Sequence, residues 1–155
     1  MNSAHLHLIF THVPILGTLF GLALLLVALV KRSDDLKRTS LWVFVLSGLL
    51  AVPTYLTGRP ASALLSKMMP GMSMDAGDQH AEVAVIALTA ALVLAVAAML
   101  GLVMGRKARS FPGWLTGLTL ALALITAGSM VWTASLGGKI RHPEILDKPG
   151  AQNTR

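Results

Sequence analysis

The chain has 155 residues, of which 54% are hydrophobic and only 13% charged, with a mean hydropathy of +0.68. A soluble domain carries about 25% charged residues, so this composition excludes that class and points to one compact integral membrane domain. The absence of cysteine excludes disulfides, thiolate zinc, iron–sulfur clusters and covalent c-type haem attachment. The net charge of +6 on so little polar surface reads as topology and lipid contact, not nucleic-acid binding.

Four apolar stretches are each long enough to cross a bilayer, which takes about 20 residues. The first, 8–30, follows the histidine-rich start of HLHLIFTHVPILG and closes at Lys31-Arg32. No basic residue precedes it and no small-residue cleavage site follows it, so it is expected to stay as a span. Pro14 lacks an N–H, which frees the Phe10 carbonyl for a neighbouring group. The second stretch, 41–57, is expected to stop at Gly58-Arg59-Pro60, opening a long loop from Gly58 to Asp78. The third, 79–104, is expected to be capped by Asp78, with Glu82 in its first turn, and closes at GRKAR. Pro112 precedes the fourth, 114–136, which Gly137-Gly138 is expected to end with a positive φ, leaving a tail over 139–155. None of the four alternates like a barrel strand, so the fold class is an all-α, four-span, up-down bundle. Glycine pairs at four-residue spacing (Gly17 and Gly21, Gly101 and Gly105, Gly113 and Gly117) allow helices to approach closely.

The short loops KRSDDLKR and GRKARSFP concentrate basic residues, whereas Arg59, Lys67, Lys139, Arg141, Lys148 and Arg155 are dispersed. The density places the short loops in the cytoplasm, with both termini and the long loop on the outer side, which is the periplasm if the membrane is a bacterial inner one. Trp42 and Trp114 then mark the inner interface, and Tyr55 and Trp132 the outer half.

All five histidines fall at the outer end. His5, His7 and His12 lie at the start of the first span, His80 at the start of the third and His142 beyond the fourth. His5 and His12, seven residues apart, share a helical face, and His7 points roughly opposite His5. His12 lies about a turn inside the apolar run, where an imidazole needs a partner. First and third spans can sit diagonally across the bundle with a planar macrocycle between them, so His12 and His80 are the preferred axial pair for a haem. His5, His7 and His142 are further candidates, with His5 and His142 serving a second haem. Arg59, Lys139 and Arg141 lie at the level of the propionates, and Gly128 leaves room for a ring edge. The competing reading of any one histidine is an ordinary interfacial hydrogen-bonding residue.

The segment 67–80, KMMPGMSMDAGDQH, clusters Met68, Met69, Met72 and Met74 before His80. Thioethers suit Cu(I), which makes copper the alternative metal; the plainer reading is an apolar loop packing on lipid or on the bundle. Glu82 is a candidate for a proton route or for serving the helix N-terminus. Nothing resembles a Ser-His-Asp set, a phosphate loop or a zinc-protease helix, so an electron-transfer component is favoured over a stand-alone enzyme.

HxxxxHxPI from His7 to Ile15, Thr57-Gly58, DQHAE at 78–82 and SLGGKIRHPEI at 135–145 together resemble a family of small bacterial four-helix membrane proteins. That family has an N-terminal HxP helix and a Gly-Gly after the fourth helix. The resemblance covers nearly the whole chain and implies b-type haem binding, with the family's histidines falling on His7, His12 and His80. It implies no particular activity. The helical angles thus pair His5 with His12, and the resemblance pairs His7 with His12. The function expected is a b-type cytochrome that passes electrons to a quinone or a periplasmic redox protein, as a subunit among other membrane proteins. A cofactor-free accessory subunit and a copper-binding protein are the alternatives.

Overall fold

A computed structural model describes residues 3–68, 74–107 and 111–141, with side chains over 4–68, 77–106 and 111–139. Among these residues the secondary structure is four helices: α1 (Ser3–Lys31), α2 (Asp34–Met68), α3 (Met74–Lys107) and α4 (Gly113–Arg141). All four are long and apolar enough to cross a membrane, as the all-α four-helix expectation required.

Three boundaries differ from expectation, and all three bear on the site. α2 does not stop at Gly58 but runs ten residues further, through Pro60, so the long loop is mostly helix. A proline removes one helix hydrogen bond but its φ is helical, and neighbouring groups can take up the freed carbonyl. α3 starts at Met74, so Asp78 lies inside the helix and does not cap it. The polar residues there gain from the helix N-terminal dipole. α4 passes through Gly137-Gly138 to Arg141, and neither glycine has a positive φ.

The helices pack in a ring: α1 on α2, α2 on α3, α3 on α4 and α4 on α1. Neither diagonal pair, α1 with α3 or α2 with α4, brings its backbones close among the described residues. The interface of α1 with α2 is the most extensive and that of α1 with α4 the slightest, while α3 packs on α2 and α4 to a like extent; by chain order the four helices form two hairpins, α1–α2 and α3–α4.

The short-loop end is closed by bulk. Leu25, Leu41, Phe44, Leu94, Leu102 and Phe111 fill it. Arg38 donates to the Gly105 carbonyl at 3.2 Å and stacks over the Phe111 ring, 5.2 Å from its centroid, tying the two short loops together. Ser33 opens α2 by accepting from the Leu36 amide at 3.3 Å, just after Arg32 turns the chain with φ 52. Toward the other end the core thins to Ala51, Ala87, Ala91 and Met130. Gly48 lets α2 approach the α3 backbone; a Cβ there would lie 2.8 Å from the Ala91 carbonyl oxygen. Gly17, Gly21, Gly101 and Gly105 do face packed side chains, as their spacing suggested, whereas Gly113, Gly117 and Gly128 have nothing within 4 Å. Gly128 therefore faces out of the bundle, not toward an enclosed ring.

Candidate functional site

The thinned end carries His5, His7, His12 and His80. On α1, the His7 ring turns toward α2, its Nδ1 lying 3.0 Å from the Thr54 carbonyl oxygen and 3.1 Å from the Thr57 hydroxyl. A carbonyl can only accept, so Nδ1 carries the proton and donates it. The Thr57 hydroxyl directs its own proton to the Pro53 or Thr54 carbonyl, each 2.9 Å away, and turns a lone pair toward the ring. On α3, His80 repeats the pattern: its Nδ1 donates to the Thr133 carbonyl of α4 at 3.0 Å. With the tautomer set at Nδ1, each neutral ring presents the Nε2 lone pair, the usual arrangement of a metal-ligating histidine.

The reason the rings reach a helix carbonyl lies four residues further along. The carbonyl of residue i bonds the amide of residue i+4, and a side chain at i+4 shields its second lone pair. At i+4 from Thr54 is Gly58, and at i+4 from Thr133 is Gly137. A Cβ on Gly58 would lie 3.4 Å from His7 Cε1, and one on Gly137 would lie 3.2 Å from His80 Cε1. Both glycines thus serve as close-approach points inside helices, and their expected role as helix stops is corrected. Thr54 also reaches back: its hydroxyl lies 2.9 Å from the Phe10 carbonyl, the group that Pro14 was expected to free. Thr54 and Thr133 were not singled out from the sequence. The signal that marks them is the T-x-x-x-G repeated in α2 and α4, each facing a histidine of the preceding helix.

The remaining candidates do not join this pair. His12 is exposed, and its Nδ1 bonds the Leu8 carbonyl of its own helix at 2.8 Å, so its polar group is satisfied locally. Facing outward, it is not opposite His80. His5 is exposed as well. Arg59, Glu82 and Lys139 are exposed at the same end, Arg141 closes α4, and His142 lies outside the described residues. Met68 is exposed at the end of α2; Met69 and Met72 lie outside the described residues and Met74 opens α3.

His7 and His80 lie within range of mutual electrostatic influence. Adjacent helix axes about 8–10 Å apart put diagonal axes roughly 11–14 Å apart. Counted back from Lys31, an apolar layer of about 30 Å ends near Thr11, and counted back from Arg106 it ends near Ile86. The pair therefore sits just above the apolar layer, at its interfacial edge. Among the described residues no group of three or more His, Asp or Glu is placed to hold a metal ion. A small cavity of about 10 Å³ between Leu25, Leu41, Gly101 and Phe111 lies at the opposite end.

The chain is thus a multi-pass membrane bundle of four helices that brings two imidazoles, each anchored on a carbonyl of the adjacent helix, to one end. No protein-family model matches it, and neither a curated protein nor a solved structure does.

Proposed function

We propose that the protein is a b-type cytochrome-like electron-transfer component in which His7 and His80 are the axial ligands of one haem. The observation that supports this reading is the pair of imidazoles on diagonal helices, each donating Nδ1–H to a carbonyl of the adjacent helix, which leaves Nε2 as the lone-pair nitrogen of the neutral ring. Two protein donors suit a ligand that brings its own four equatorial nitrogens better than a bare metal ion, which takes four or more donors. Bound there, haem would supply a one-electron centre. The chain's part is to orient the two rings, hold each in the Nδ1–H tautomer and keep them at the interfacial edge. That depth suits exchange with a soluble redox protein or a quinone headgroup, and the basic short loops support a periplasmic position for this end in a bacterial inner membrane. Arg59 and Lys139, exposed at this level, are suited to pair with propionates.

A second reading keeps one specific observation of its own. Gly113, Gly117 and Ala121 form an outward small-residue stripe on α4, the kind of face on which another membrane helix packs. It favours a subunit of a larger assembly, with or without a cofactor.

The test is an oxidised and a dithionite-reduced visible spectrum of protein purified in mild detergent, with a pyridine haemochrome assay for stoichiometry. The expected result is a b-type spectrum with one haem per chain. A colourless protein after expression with ample haem overturns the cytochrome reading and leaves the accessory subunit; copper analysis then tests the methionine cluster.

A further inference from the structure

The two anchors are not identical, and the difference lies in one residue. In the T-x-x-x-G of α2, the third residue after Thr54 is Thr57, whose hydroxyl accepts a second share of the His7 Nδ1 proton at 3.1 Å. In α4 the same position after Thr133 is Leu136, which has no acceptor, so His80 rests on the Thr133 carbonyl alone among the described residues. We infer that Thr57 is a positioning residue that makes His7 the more electron-donating imidazole of an unequal pair, biasing a metal held between them toward its oxidised state. The physical basis is that acceptors on the distal N–H of an imidazole give it imidazolate character and raise its basicity at the other nitrogen. Two acceptors at 3.0 and 3.1 Å do this more than one at 3.0 Å. The geometry fits the function: the Thr57 proton is directed to the Pro53 or Thr54 carbonyl, so its oxygen is available as an acceptor.

The redox consequence rests on the haem reading; the unequal anchoring does not. The experiment therefore measures both. In the purified full-length protein, Thr57→Val is expected to keep haem stoichiometry and the b-type spectrum while raising the midpoint potential. A tenfold change in the ferric-to-ferrous preference corresponds to about 59 mV for one electron. Leu136→Thr is expected to lower the potential, and Thr57→Ser to restore the wild-type value. In the haem-free protein, nitrogen-15 NMR of the imidazoles is expected to show both rings in the Nδ1–H tautomer, with the His7 Nδ1 proton the further downfield. Thr57→Val should move that proton toward the His80 value. Unchanged potentials in the Thr57 variants of a haem-loaded protein overturn the redox role. Equal Nδ1 protons that do not respond to Thr57→Val overturn the anchoring itself. A wild type that takes up no haem fails the cytochrome reading and with it the redox role, while the NMR comparison still decides the anchoring.

Discussion

The α1–α2 hairpin and the α3–α4 hairpin solve the same problem with different amounts of support. Each turns one histidine from its first helix onto a carbonyl of its second, and each opens that carbonyl with a glycine one turn on. The first hairpin adds three things: the Thr57 hydroxyl, the Thr54 bond to the carbonyl released by Pro14, and the more extensive helix–helix interface. The second has the bare carbonyl. The shared part is what holding a ring in one tautomer demands, and the unshared part tunes it. The largest expected effect removes a ring from either hairpin: His7→Ala and His80→Ala should each abolish stoichiometric haem binding, read by pyridine haemochrome. His12→Ala should leave haem content within about twofold of wild type, because its ring faces outward. Full haem content in both His7→Ala and His80→Ala would reject the pair.

Next in size is the glycine. Gly58→Leu and Gly137→Leu place a side chain against His7 and His80 and cover the carbonyls that orient them. Loss of such an orienting contact costs about 10–100-fold in affinity, measured by haem titration. Substitution at Gly113, which has open space around it, should leave the affinity unchanged.

The seam between the hairpins should respond in stability and not primarily in ligation. Gly48→Leu forces α2 off the α3 backbone, since even a Cβ would lie 2.6 Å from that of Ala95. Overpacking of this kind costs about 1–3 kcal/mol, checked by thermal or denaturant unfolding in detergent. The smallest effect is expected from Thr54→Val, which keeps the carbonyl and the shape but loses the hydroxyl, whose one proton has the Phe10 and Leu50 carbonyls as acceptors, each 2.9 Å away. Interhelical hydrogen bonds in membranes average about 0.6 kcal/mol, so a loss of that size should appear in the same unfolding measurement. Haem content should hold, because the carbonyl that orients His7 remains.

Much of the fold was legible in the residues themselves. Uninterrupted apolar runs cannot leave their peptide groups bare in lipid, so four helices followed from composition and length. The segments bordering those runs were harder. Gly58, Pro60 and Gly137-Gly138 are helix breakers by local preference, and local preference predicts stops at all of them. The helices continue because each proline forfeits only one bond and Gly137 is used for its missing side chain. The site was half legible for the same reason. His7, Thr57-Gly58, His80 and Gly137 all appear in short motifs of the chain, but their pairing spans 47 to 53 residues of sequence. Helical angles within α1 alone relate its three histidines to one another and do not say which of them faces α2.

Composition and hydropathy by themselves determined that this chain is an all-helical membrane bundle without cysteine chemistry, because peptide groups in hydrocarbon must pair within helices or a closed barrel and the apolar runs do not alternate as barrel strands do. They also determined that His5, His7, His12 and His80 gather at one end, since spans that alternate in direction bring the starts of the first and third together. Only the tertiary structure decided which imidazoles turn inward and which nitrogen each presents. Rotation of a helix about its axis is set by what it packs against, and here that is a carbonyl bared by a glycine on the neighbouring helix.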